Sequence, residues 1–151
     1  LFVSFCFCAA NSPCNNPDPT AGCRNGSFFG ASIAGTGSAS IGANDLTLTM
    51  SGLPQNQFGL FFMGDAELAP VTFGNGQRCV GGNLWRFPVV QANGSGVSTL
   101  PGIVGESLNF PTAGRIMAGQ TWSFQGWFRD GAGPCGAGFN TTNALRVEFV
   151  L

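Results

Sequence analysis

The chain contains no histidine, no lysine and no tyrosine. Without histidine it lacks the usual general base near neutral pH and the commonest metal ligand. Without lysine it has no Schiff-base chemistry, no amine nucleophile and no lysine-to-asparagine isopeptide staple. Charge is scarce as well. Six basic residues, all arginine, stand against seven acidic ones for a net charge of −1, and charged residues make up 9% of the chain, where about 25% is usual. No basic patch is evident, which excludes nucleic acid as the expected partner. No apolar run approaches the roughly 18 residues of a membrane span.

Cysteine and glycine are plentiful. Six cysteines lie in a chain of 151 residues with 24 glycines and nine prolines, which points to disulfides and an oxidising compartment. A chain this long makes one domain with a real core, burying roughly 68–70% of its unfolded surface. The cysteines therefore reinforce a core and do not replace one. The low charge removes the repulsion that keeps molecules apart, so a surface that packs against copies of itself is expected, with an ordinary secreted β-domain in a neutral polar coat as the alternative.

Helical periodicity is nearly absent, and alternation of period two recurs. Leu46, Leu48 and Met50 share one face, with Thr47 and Thr49 opposite. Trp122, Phe124 and Phe128 face one way, and Ser123, Gln125, Trp127 and Arg129 the other. Leu145, Val147, Phe149 and Leu151 are expected inward, with Arg146 and Glu148 outward. Further strands are expected near 28–34, 38–41, 58–63, 83–90 and 96–100, and a weaker one near 107–110. About eight short strands between turn signals predict an all-β fold, an antiparallel sandwich of jelly-roll type, with a closed barrel as the alternative.

Two long connections, 64–78 and 130–143, need to be functional or tied down. Each adjoins or contains a cysteine, so a Cys79–Cys135 bridge is expected to pin both to one edge. The remaining cysteines, Cys6, Cys8, Cys14 and Cys23, crowd an Asn- and Pro-rich start. Cys6 and Cys8 point to the same side of a strand and are poor partners for each other. They are expected to pair with Cys14 and Cys23, in an order the sequence leaves open. Residues 1–23 thus read as a disulfide-shaped segment and residues 24–151 as the sandwich. Four thiolates holding zinc is the rival reading, disfavoured by the irregular CxC spacing and the oxidising compartment.

The strings Phe5-Cys6, Pro13-Cys14-Asn15-Asn16 and Gly22-Cys23-Arg24-Asn25 carry a family resemblance. So do Gly37-Ser38-Ala39-Ser40, Ser51-Gly52-Leu53-Pro54 and Leu60-Phe61-Phe62-Met63-Gly64. It continues through Phe73 to Gly82, with Arg78-Cys79-Val80-Gly81-Gly82 among its most specific parts. It ends with Gln125-Gly126-Trp127-Phe128-Arg129-Asp130, Pro134-Cys135, Phe139-Asn140 and Thr142-Asn143. Across essentially its whole length the chain resembles a secreted domain of unknown role, widespread in envelope proteins of planctomycete-like bacteria. The resemblance implies a secreted β-rich domain, often appended to larger surface proteins, and no activity. This chain departs from it around Trp127, with Phe where relatives tend to have Tyr.

Catalytic constellations are poorly supported. Asp65 and Glu67 are the one carboxylate pair that shares a strand end, and no second supporting group accompanies them. Serine and cysteine hydrolase chemistry lacks its histidine. Asp65, Asn75 and Asp130 are hard oxygen ligands that suit calcium, without a regular motif. No enzyme activity, cofactor or metal is therefore expected. Trp127, flanked by Gln125 and Arg129 on a polar strand face, suits a platform for a sugar ring; its competing reading is packing under a loop. Sequons at Asn25, Asn93 and Asn140 mark polar turns.

Both termini are apolar. Leu1 to Ala10 does not read as an intact signal peptide, and no initiator Met is present, so the chain reads as a mature form or a piece of a longer polypeptide. Leu1, Phe2, Val3 and Phe5 open it ahead of a Pro/Asn-rich hinge. They are expected to add as a strand to the sheet of the next subunit, with edge pairing in cis as the alternative. The reading as a whole is an extracellular, self-associating structural protein of the cell surface, of filament type. A carbohydrate-binding or adhesive module, with glycans as partner, is the second reading.

Overall fold

The computed structural model describes residues 1–151. Nine strands form two antiparallel sheets packed face to face, and the larger does not close into a barrel. Strands β1 (Phe2–Phe5), β9 (Gly138–Glu148), β8 (Thr121–Asp130), β4 (Phe58–Phe73) and β5 (Gly76–Arg86) lie in that order, and β6 (Val90–Gln91) pairs with the start of β4. The smaller sheet is β2 (Ser32–Thr36), β3 (Thr47–Ser51) and β7 (Ser98–Leu100). No helix is long and apolar enough to cross a membrane.

Alternation decides what meets in the middle. Phe61 and Met63 of β4, Trp122, Phe124 and Phe128 of β8, and Leu145 and Val147 of β9 line the inner face of the larger sheet, continued by Phe149. Ile33, Leu48 and Met50 meet them from the smaller one. Phe87 and Phe110 close one end, edge to face at 5.1 Å.

Several expected elements differ. The strand expected at 28–34 starts at Ser32, because residues 24–30 form a tight loop closed by an Arg24–Gly30 bridge. The stretch 38–41 contributes only a single bridge, Ser40 to Val150. The weak strand expected near 107–110 is instead the last residue of a short helix, α1 (Ile103–Ser107), and the turn that follows it. Ser107 caps it internally, donating its hydroxyl to Val104 O at 2.6 Å and accepting the Ile116 N–H at 3.0 Å. Leu151, expected inward, is 88% exposed, since β9 ends at Glu148.

The largest correction concerns residues 64–78. They are not a loop but the outer half of the β4–β5 hairpin, bent by register shifts between Gly64 and Ala66 and between Glu67 and Val71. The bend depends on glycine: Gly82 sits at φ +74°, where a Cβ would meet the Asp65 carboxylate, and a Cβ at Gly64 would strike Gly81 O. Beyond it the hairpin lies across the outer face of β8 and β9. There Val80 packs with Phe62 and Ala144 in a second small core.

Candidate functional site

The bent hairpin builds the outer face of the larger sheet, and the N-terminal segment sews it down. The bridges are Cys6–Cys79, Cys8–Cys23 and Cys14–Cys135, and no cysteine is free. The expected Cys79–Cys135 bridge does not form. Cys79 lies on the hairpin beside the end of β1, within reach of Cys6, while Cys135 in the β8–β9 loop meets Cys14. Cys6 and Cys8 diverge because β1 ends at Phe5 and Cys6 adopts φ +63°, so the two do not share a strand face. Two of the three bridges therefore leave residues 1–23, which are stitched into the body and do not form a self-contained hinge. With every cysteine sulfur bonded to another, the thiolates required for zinc are absent.

Gln125, expected on a ligand platform, is fully buried under the hairpin. Its Nε2 donates to Gln77 O and Thr142 O, each at 2.7 Å, and its Oε1 accepts the Cys79 N–H at 3.2 Å. A side chain that points away from the main core thus points into the second one.

Beside it lies a buried polar knot. Asp130 is fully buried with no cationic partner. Its Oδ1 accepts the Gly26 N–H at 2.8 Å, and its Oδ2 accepts Nδ2 of Asn75 at 2.9 Å and of Asn140 at 3.2 Å. Asn16 donates to Asn75 O at 2.8 Å and Arg24 O at 2.9 Å. Asn75 accepts the Ala137 N–H at 3.1 Å. The N-terminal segment, the hairpin turn and the β8–β9 loop all meet here. Asn75 and Asp130 of the expected calcium set come together as amide donor and carboxylate acceptor. Asp65 lies elsewhere, accepting the Asn83 N–H at 2.8 Å and its Nδ2 at 3.0 Å. Glu67, its expected partner, instead pairs with Arg146 at 3.1 Å. No group of three or more His, Cys, Asp or Glu side chains suits a metal.

Between hairpin and sheet an apolar cleft of about 470 Å³ opens to solvent. Leu60, Phe62 and Trp127 form its floor, Phe73 and Leu84 its walls, and Arg78 and Arg86 its rim. Arg78 lies 5.6 Å over the Phe73 ring and donates to Val80 O at 2.9 Å. Trp127 already has partners: Phe139 stacks on it at 5.8 Å, and the Arg129 guanidinium lies 5.4 Å over its ring. It lines the cleft as part of a packed aromatic floor and does not stand free as a platform. Arg129 belongs to that packing.

The expected donor strand is paired in cis. Phe2, Val3, Ser4 and Phe5 lie opposite Val147, Arg146, Leu145 and Ala144 of β9. Leu1 continues the register, its carbonyl accepting the Glu148 N–H at 3.3 Å. Of the three sequons, Asn25 and Asn140 are buried with their side chains engaged, and Asn93 is exposed.

Sequence reasoning missed the cleft walls and the loop that carries Phe28 and Phe29. The signal for the loop was present. Two adjacent phenylalanines between an Asn-Gly-Ser turn and Gly30 belong to no alternating run and so to no strand face. The chain matches no known protein family, no characterised protein and no solved structure.

Proposed function

We propose that this chain is a non-catalytic structural protein of the cell surface that works outside the cell and associates with copies of itself into filaments. The observation that carries this reading is the stitching of residues 1–23 across the outer sheet face. Bridges spanning 73 and 121 residues of sequence fasten one segment to both the hairpin and the β8–β9 loop. Such a fold resists opening under load, and its disulfides belong to an oxidising environment. Support for self-association comes from the near-neutral surface and from large apolar side chains left in solvent, among them Phe28, Phe29, Phe58 and Val89. Because β1 is paired in cis, assembly in this reading uses side chains and not a donated strand. The resemblance to envelope domains adds the setting.

Electron microscopy and sedimentation of the oxidised protein test the reading. Filaments or concentration-dependent growth is expected, and a monomer at every concentration overturns it. The cleft supports the second reading, an adhesive or carbohydrate-binding module. That reading requires a strictly monomeric protein that binds glycans and loses them on Trp127→Ala.

A further inference from the structure

We infer that copies of this chain join head to tail, the Phe28–Phe29 tip of one copy seating in the Leu60–Trp127 cleft of the next. The inference rests on the self-association proposed above and names its surfaces.

The tip is a stiff projection. Asn25 donates its N–H to Phe29 O at 2.9 Å, and Phe28 donates its own to Asn25 O at 3.0 Å. Asn25 Oδ1 accepts the Ser27 N–H at 2.8 Å and hydroxyl at 2.6 Å, while its Nδ2 donates to Gly52 O at 2.9 Å. On this frame Phe28 is 83% exposed and Phe29 68%. Phe28 also adopts φ +72°, a costly conformation for a bulky residue that the surrounding loop enforces. Two aromatic rings held out by a preorganised loop lose little freedom on docking. Such rings are the anchors that interfaces favour.

The cleft has the matching chemistry. Its volume of about 470 Å³ is ample for two phenyl rings, and its floor and walls are aromatic and aliphatic. On the rim, Arg86 has no ion-pair or side-chain hydrogen-bond partner, so its guanidinium is available to an incoming ring face. The molecule makes that same contact internally at Arg78–Phe73 and Arg129–Trp127.

Tip and cleft share no residue. A projection on one part of a chain that fits a recess on another can make a heterologous contact, which propagates from copy to copy where its rotation does not close. Two phenyl rings bury about 150–250 Å² each, well short of the roughly 1,200 Å² of a stable pair. Asn15, Arg24, Ala132 and Pro134 surround Phe28 and supply the rim of the joint. Assembly should accordingly depend steeply on concentration.

The test uses the oxidised full chain in sedimentation velocity across a concentration series. A tip variant (Phe28→Ser with Phe29→Ser) and a cleft variant (Leu84→Arg) change exposed side chains and should stay folded, which circular dichroism checks. Val89→Ser, exposed elsewhere, should assemble as the parent does. Each of the two joint variants alone should need at least a ten-fold higher concentration to grow. Mixed together, they should form one-to-one pairs and nothing longer, since one retains a cleft and the other a tip. Growth retained by both variants, or failure of the mixture to pair, overturns this joint and leaves self-association standing. A parent protein that stays monomeric at every concentration overturns self-association itself. Tip-dependent binding to phosphatidylcholine vesicles by a monomeric parent assigns the tip to a lipid surface and also overturns the joint.

Discussion

Gln125 holds Cys79 in place: its Oε1 accepts the Cys79 backbone N–H at 3.2 Å, directly beneath the bridge from Cys79 to Cys6. The same amide donates to Gln77 O and Thr142 O. One side chain thus satisfies three backbone groups on two elements that share no ladder at that point. Gln125→Leu fills similar volume and takes this partner from the Cys79 N–H and Thr142 O, while Gln77 O keeps the Thr141 hydroxyl at 2.7 Å. A buried group so orphaned costs about 1–3 kcal/mol. We expect Gln125→Leu to lower unfolding stability by about 2–4 kcal/mol in a urea titration of the oxidised protein. A loss below about 0.5 kcal/mol would show that the hairpin is held by the disulfide alone.

The same residue marks the boundary of what sequence patterning could reveal. Alternation located β3, β8 and the second half of β9, because Leu48, Met50, Phe124, Phe128, Leu145 and Val147 all face one continuous core, whereas 138–143, expected within a long connection, is the first half of β9. It also turned Gln125 away from that core, correctly. What it could not foresee is a second layer on the far side, where a polar residue is as buried as Phe124. The outer half of the hairpin was illegible for a related reason. Asp65 to Pro70 carries no alternation, since the side chains buried against the sheet, Gln77, Cys79 and Val80, lie on the returning strand. Disulfide partners were illegible because they depend on where that hairpin lands. The cleft shares this dependence: Phe73 and Arg78 become its lining only once the hairpin bends at Gly64 and Gly82.

Asp130 makes a second prediction. Its carboxylate accepts three N–H donors and faces no guanidinium. Asp130→Asn keeps the shape but turns an NH₂ toward one of those donors. We expect a loss of about 2–4 kcal/mol, the range for a broken buried network around a charged acceptor. Hydrogen exchange should rise at the Gly26 and Ala137 amides, which the knot fixes. Unchanged protection at both would show that the loops are held by their bridges and not by the carboxylate.

The bridges should rank by the chain they close. Removing Cys14–Cys135 as a double Ser variant releases a closure of 121 residues, shortened in effect by the other bridges. Removing Cys8–Cys23 releases one of 15. The chain-entropy argument gives about 4 kcal/mol for the first and about 3 kcal/mol for the second. Thermal unfolding should therefore drop further for the Cys14/Cys135 variant, and the 131–137 loop should become the first site of proteolysis. The reverse order would mean that Cys8–Cys23 braces the Asn16 knot more than it closes a loop.

Acid should weaken the fold from a defined direction. Burial raises the Asp18 carboxyl, but the Thr20 hydroxyl, the Gly30 and Thr20 N–H groups and the Arg24 charge outweigh it and hold it below its ordinary 3.8. The Ser38 hydroxyl and N–H hold Asp45 below that value, and the Asn83 side chain and N–H do the same for Asp65. A carboxylate with a depressed folded pKa binds protons more weakly folded than unfolded. Its contribution is complete well above 3.8 and is lost as pH falls through and below it. All three side chains are largely solvated, so each contribution is small. The urea midpoint should hold steady from pH 7 to about 5 and decline from there to pH 2. Asp65→Asn should start lower at pH 7, because an amide cannot accept both Asn83 donors as well, and should decline less in acid. An acid limb identical to the parent's would show that Asp65 does not couple its ionisation to folding.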